Sequence, residues 1–149
     1  MKTKCTIFYL VVGGLLALLA CNNIKDTSKN SNWSIELKKG GCLEACSSYS
    51  ILVNTDGSYN YKGNYQVKHQ GKKTGKLTQA YLTQLDQLVH SIDWNSLKNS
   101  YGNDGDTQRK ELNYTSNTTN KQVVYYRLEP QKIRQLEHFI DTIVNHDEF

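Results

Sequence analysis

Tyr49-Ser50-Ile51-Leu52-Val53-Asn54-Thr55-Asp56-Gly57-Ser58-Tyr59-Asn60-Tyr61 decides the fold. Tyr49 to Val53 is rich in β-branched and aromatic residues, Asp56-Gly57 is a hairpin turn signal, and Tyr59 and Tyr61 recur at period two behind it. The stretch therefore predicts a β-hairpin. Upstream, Trp33, Ile35 and Leu37 alternate with Ser34, Glu36 and Lys38, the pattern of a half-buried strand, and Gly40-Gly41 ends it. Downstream, Gly63 marks a bulge, Tyr65 to His69 predicts another short strand, and Gly71-Lys72-Lys73-Thr74-Gly75-Lys76 reads as a basic loop.

The period then changes from two to between three and four. Thr78 is an N-cap residue, and Leu82, Leu85, Leu88, Val89 and Ile92 form one apolar stripe of a helix ending near His90 to Asp93. Asn99 to Asp106 is rich in Asn, Asp and Gly and reads as a loop. Gln108 to Thr115 and Gln122 to Leu128 predict the arms of a second hairpin, with Ser116 to Asn120 at its tip. Pro130 stands where a first helical residue belongs, and Ile133, Leu136, Ile140, Ile143 and Val144 give a second helix its apolar stripe. Adjacent strands closed by one helix, twice over, predict an α+β fold: an antiparallel sheet built from two hairpin regions with two helices packed on one face.

The start of the chain speaks about location. Met1-Lys2-Thr3-Lys4 is cationic, an apolar run follows from Ile7, and Leu18-Leu19-Ala20-Cys21 ends it. A charged start, a short apolar stretch and a small residue before the cut make a secretory signal, and a Cys directly after the cut supplies a thiol for a diacylglyceryl group. Residues 1–20 are thus expected to be a lipoprotein signal peptide, and Cys21 the lipidated, palmitate-bearing N-terminus. Ile7 to Ala20 is shorter than the ~20 apolar residues that cross a bilayer. Asn22 to Asn32 contains one apolar residue, Ile24, so residues 21–32 read as a disordered tether, which leaves 33–149 as one α+β domain. Location in the cell envelope follows, with the membrane reached through the lipid. Asn22 and Asn23 lack the Asp that retains lipoproteins in an inner membrane, so the outer membrane is expected.

Charge excludes one class of partner. The chain has 18 Lys plus Arg against 14 Asp plus Glu, and the signal removes Lys2 and Lys4, leaving a net charge near +2. That is too small to argue for nucleic acid. Once Cys5 leaves with the signal and Cys21 carries lipid, Cys42 and Cys46 are the remaining thiols. In an oxidising compartment a disulfide is the favoured reading. Metal binding would need further ligands that no His supplies at a fitting spacing, and redox chemistry typically uses two residues between cysteines rather than three.

Gly41-Cys42, Cys46, Tyr49, Asp56-Gly57, Tyr61-Lys62-Gly63 and Gly71-Lys72-Lys73-Thr74-Gly75 together make the chain resemble domain-of-unknown-function family 6438, found in exported and lipoprotein-type proteins, many of them from Bacteroidota. The similarity covers roughly Trp33 to His90 closely and the remainder through its layout. The family pattern has a Gly between the cysteines and a Pro after the second, where this chain has Glu44 and Ser47. The resemblance implies the domain and brings no catalytic residues with it.

Chemistry alone ranks the other candidates. Lys68, His69, Lys72, Lys73 and Lys76 could form a cationic patch for an anionic glycan, a lipid head group or an acidic envelope protein, against the plainer reading of a solvated loop. Tyr49, Tyr59, Tyr61 and Tyr65 could present rings to a sugar or peptide, or pack across strands. Asn103-Asp104-Gly105-Asp106 offers clustered oxygens without the later Glu of a calcium loop. Ser47 and Ser48 have no local base. His138 and Asp141 share one side of the last helix and read as a solvated face. No cofactor and no metal are expected.

The reading is a lipid-anchored envelope protein with a non-catalytic binding or structural role, ahead of a thiol-dependent function at Cys42 and Cys46 and of a hydrolase assembled only in the fold. Cys21→Ser is expected to leave an uncleaved or soluble precursor. Detergent phase partitioning of the two forms checks it, and quantitative membrane recovery of the Ser variant would overturn the anchor.

Overall fold

The computed structural model describes residues 32–42, 45–103, 107–146 and 149. The signal segment, Cys21, the tether up to Ser31 and Asp104 to Asp106 of the polar loop lie outside the described residues.

Trp33–Lys39 forms β1, Ser48–Asn54 β2, Ser58–Tyr65 β3 and Gly71–Lys76 β4, and Gln79–Ser91 is α1. Ser100–Tyr101 forms β5, Lys110–Ser116 β6 and Asn120–Tyr125 β7, and Gln131–Val144 is α2. The seven strands make one open sheet in the order β4-β3-β2-β1-β6-β7-β5. Every pair is antiparallel except β5 with β7. The class is α+β, with β1 at the centre of the sheet.

The turn between β2 and β3 follows from its residues. Gly57 donates its N–H to the Asn54 carbonyl at 2.8 Å and holds φ at +81°, a left-handed value that glycine adopts freely. The Asp56 carboxylate accepts from the Ser58 N–H at 2.9 Å. At the far end of β3 the register jumps from Tyr49 opposite Gly63 to Ser48 opposite Tyr65, so Asn64 is the extra residue of a bulge. Gly63 is required there, because a Cβ would fall on the His69 carbonyl.

Four readings differ from the sequence expectation. Tyr65 ends β3 and Gln66 to His69 is a connection rather than a further strand, and the basic stretch Gly71–Lys76 is itself strand β4. An edge strand pairs on one side only, so charged residues serve it, and lysines there discourage wrong pairing. Its sequence consequently shows no apolar alternation. The first hairpin region is therefore a three-stranded meander. Ser100–Tyr101 lies in the stretch read as loop, yet pairs with β7 through Val124 N–H to Asn99 O at 2.9 Å and Tyr126 N–H to Tyr101 O at 3.1 Å. Two residues are too few to carry a period. Pro130 is the N-cap of α2 and not its first residue, with its carbonyl accepting from Arg134 N–H at 3.1 Å.

One face of the sheet is buried and the other is not. Trp33, Ile35, Leu37, Ile51, Val53, Leu112, Val123 and Tyr125 are buried with Leu85 and Val89 of α1 and Ile133, Leu136, Ile140 and Ile143 of α2. Leu82 and Leu88 are half-buried at the margin of this core. Both helices touch the same side of β1. The Trp33 indole donates to Asp86 of α1 at 2.8 Å, and Lys39, an even number of residues along, reaches Asp141 of α2. Trp94 stacks on Tyr114 at 4.3 Å and donates to the Val89 carbonyl at 3.0 Å, closing α1 onto β6. Among the described residues no helix is long and apolar enough to cross a membrane.

Leu85 has no exposed surface. Leu85→Ala is expected to cost about 2 to 5 kcal/mol, read from the denaturant midpoint, and a cost near zero would make α1 peripheral to the core.

Candidate functional site

Beneath the helix-covered face lies a group of charged side chains that the sequence does not announce. In the β1 and β6 register Lys39 stands directly opposite Lys110, a like-charge pair that would oppose the pairing of the strands. Glu137 of α2 enters between them. Its carboxylate lies 2.9 Å from Lys39 Nζ and 3.0 Å from Lys110 Nζ. Asp141, one turn along α2, accepts from Lys39 at 2.9 Å and from the Tyr49 hydroxyl at 2.5 Å. Two cations thus meet two carboxylates, with the Lys39 and Glu137 side chains only 9% and 8% exposed. Lys39 also lies over the Tyr49 ring at 5.7 Å and Lys110 over the Tyr125 ring at 5.2 Å.

The electrostatics of the group follow from this geometry. Burial alone would raise the Glu137 pKa, but the charges and hydrogen bonds of Lys39 and Lys110 outweigh it and hold the carboxyl below its usual range. Burial would lower Lys39, and Asp141 and Glu137 override it and raise that pKa above the ordinary lysine value. Tyr49 and Tyr125 are pushed far up, first by burial and next by the charges of Asp141 and Glu137 respectively. The buried Tyr125 hydroxyl has no hydrogen-bond partner among the described residues. Paired with each other and roofed by α2, these groups serve as a fastening between helix and sheet.

Cys42 and Cys46 are joined, with Cα atoms 5.7 Å apart. The loop they close is also held by Gln108, whose side-chain amide donates to the Gly40 carbonyl at 2.7 Å and to the Ser47 carbonyl at 2.6 Å. The disulfide borders an open cleft of about 440 Å³ shared with Lys110, Arg127, Glu129 and Arg134. Leu128 stands at its rim, 81% exposed, with a positive φ of 67°. Among the described residues no three His, Cys, Asp or Glu side chains gather as a metal site.

The five residues read as one cationic patch are divided by the alternation of β4. Lys73 turns to the helix side, donating to the Phe149 carbonyl at 2.5 Å and to His69 Nδ1 at 3.0 Å. His69 Nε2 meets the His146 carbonyl at 3.0 Å, so the tautomer with its proton on Nε2 satisfies both ring nitrogens. Lys68 donates to the Asn145 carbonyl at 3.2 Å. These three hold the segment after α2. Lys72 and Lys76 point the other way, onto the open face, where Lys62 joins them. Lys76 lies 3.9 Å from the exposed Asp56 carboxylate.

Tyr49 and Tyr61 are buried with ring centroids 5.9 Å apart, and Tyr59 stacks on Phe149 at 4.8 Å, so the tyrosines pack across strands. Tyr65 is exposed. His138 is exposed and Asp141 is turned under the sheet, which corrects the solvated-face reading of that pair. Lys39, Lys110 and Glu137 were missed altogether. Their signal was nonetheless present: Lys39 continues the inward alternation of Trp33, Ile35 and Leu37, and Glu137 sits beside Leu136 within the apolar stripe of α2.

A family model for a domain of unknown function, DUF6438, matches residues 33–144. The chain belongs to this family. The match begins at the first residue of β1 and ends at the last of α2, so the DUF6438 domain is the sheet with both its helices. A search of the curated proteins finds no match to the chain.

Lys39→Met is expected to destabilise the domain by about 3 kcal/mol, because Asp141 and Glu137 lose a partner they are desolvated against. The pH dependence has a definite sign. A carboxyl whose folded pKa is depressed, as for Glu137, contributes stability above the ordinary carboxylate range and loses it as pH falls through the folded value. The raised Lys39 contributes below the ordinary lysine value and loses its share as pH rises through its folded pKa. Denaturant midpoints are thus expected to be level across neutral pH and to fall at acid pH, with a shallower acid limb in Glu137→Gln. The double change Cys42→Ser with Cys46→Ser is expected to lower stability by less than ~3 kcal/mol, since so short a loop removes little unfolded-chain entropy. A melting curve of that variant checks it.

Proposed function

We propose that this protein is a lipid-anchored binding protein of the cell envelope, held at the outer membrane through an acylated Cys21, and that its role is non-catalytic. A signal of residues 1–20 and a tether of residues 21–32 would let the domain stand off the membrane while its lipid holds it. The sheet is read as two hairpin regions flanking β1, with both helices on one face, which frees the other face for a partner.

The observation that carries the proposal is a contrast between two pairs of opposed lysines. Lys39 and Lys110, on the covered face, are neutralised by Glu137. Lys62 and Lys72, on the open face, are directly opposed in the β3 and β4 register and have no carboxylate partner among the described residues. Like charges directly opposite weaken strand pairing, so an uncompensated exposed pair is a cost to folding that an anionic partner would relieve. The charged residues at the centre of the open face are paired with one another. Lys38 is 3.0 Å from Glu36 and 3.6 Å from Glu111, and Asn113 donates to both of these carboxylates at 3.0 Å. The free positive charge is thus concentrated toward β4. The thiol-dependent alternative gains less support, because the joined cysteines brace a loop that Gln108 already holds.

The reading predicts that the detergent-solubilised full chain binds polyglutamate and not neutral dextran at low ionic strength, and that Lys62→Glu with Lys72→Glu abolishes this binding without changing the melting temperature. Both lysines are exposed, so the fold is expected to tolerate the change. Absence of binding to polyglutamate and to anionic vesicles alike would overturn it.

A further inference from the structure

Strand β4 closes the sheet on one side, and no strand among the described residues pairs with its outer edge. The direction of its backbone groups follows from one bond. Leu77 N–H donates to the Gly57 carbonyl at 2.9 Å, which makes those two residues a hydrogen-bonded pair. Counting back along the ladder in twos, residues 75, 73 and 71 turn their N–H and C=O groups toward β3. Lys72, Thr74 and Lys76 therefore turn theirs away from the sheet, and their side chains share the open face. All three are exposed.

A single row of side chains runs across that face to the same edge. Glu111 of β6 stands opposite Lys38 of β1, Lys38 opposite Ser50 of β2, Ser50 opposite Lys62 of β3, and Lys62 opposite Lys72 of β4. At the β6 end the row is charge-paired. At the β4 end it stops on two lysines, beside a row of unpaired backbone donors and acceptors.

The geometry points to strand addition at β4, with an extended acidic peptide segment as the occupant. Backbone groups of Lys72, Thr74 and Lys76 would form the ladder, and carboxylates at alternate positions of the ligand would fall opposite Lys72 and Lys76. This deepens the binding reading above and rests on it. A second copy of the chain fits poorly, since antiparallel pairing of two β4 strands about Thr74 sets Lys72 of one against Lys76 of the other. The tether fits no better, because its charged residues are Lys25, Asp26 and Lys29. An anionic polysaccharide or lipid surface would answer the charge and leave the backbone groups unused.

The experiment uses the full chain in detergent micelles and a short synthetic peptide with Glu at alternate positions and Thr between them. A companion peptide has the same charge, with N-methyl groups on the amides that would face β4. Fluorescence anisotropy is expected to give saturable binding of the first peptide, with the methylated peptide weaker by about tenfold or more, as loss of two or three ladder bonds implies. Binding of the first peptide is expected to slow hydrogen exchange at the amides of Lys72, Thr74 and Lys76. Lys72→Glu is expected to abolish binding, and Lys72→Gln to weaken it, both with a melting temperature no lower than that of the parent, since either change removes the like-charge opposition to Lys62. Equal binding of the two peptides, or no added protection at those amides, would overturn strand addition and leave the anionic-partner reading standing. Binding to anionic vesicles without binding to either peptide would do the same. Failure of peptides, polyglutamate and vesicles together would remove both.

Discussion

Glu137 is the side chain on which the architecture depends. Two neighbouring strands, β1 and β6, place lysines directly opposite each other on the face that must be buried, and their repulsion is relieved only when a carboxylate arrives from outside the sheet. That carboxylate is carried by α2 in the middle of its apolar stripe, so seating the helix and neutralising the lysines are one event. Asp141 and the Tyr49 hydroxyl extend the fastening to β2. Buried ion groups of this kind add little net stability over apolar packing of the same volume, because desolvation offsets much of the attraction. What they add here is register. Any displacement of α2 along β1 would strand Lys39 or Glu137 without a counter-charge.

The two faces of the sheet follow different rules as a result. On the covered face, Lys39, Lys110, Glu137 and Asp141 are matched within the domain, as are the His69, Lys73 and Phe149 contacts that hold the end of the described chain. On the open face, the centre is matched through Glu36, Lys38, Glu111 and Asn113, while the β4 side keeps opposed lysines beside a free backbone edge. Lysine on an edge strand is ordinarily a guard against self-association. The same feature that repels another copy selects for an acidic strand, and the proposed binding role uses both properties at once.

Much of the fold was readable before any coordinates. Strands β1, β2 and β3, the turn at Asp56-Gly57, the hairpin from Lys110 to Tyr125 and both helices carry clear periods, since each has one face against the core and one outside it. The failures are equally physical. Strand β4 has little apolar face because it is an edge, and β5 has two residues, so neither leaves a pattern to detect. The division of the cationic patch had the same source: alternation in a strand sends Lys72 and Lys73 to opposite sides, a distinction that disappears when the stretch is read as a loop.

The sequence by itself determined β1 to β3, β6, β7 and both helices, and the apolar residues that enter the core, because these depend on local period and on burial of apolar side chains, which neighbours along the chain reveal. It also determined the family, through glycines, cysteines and tyrosines at set positions from the loop after β1 through β4. Only the tertiary structure decided the roles of the charged residues. Lys39 and Lys110 are 71 positions apart, and Lys110 and Glu137 are 27 apart, so their partnership depends on strand register and on the placing of α2, and no local pattern encodes either. Lys62 and Lys72 became distinct from the other lysines by the same route, since a charge shows its partner, or lack of one, only after the strands are aligned.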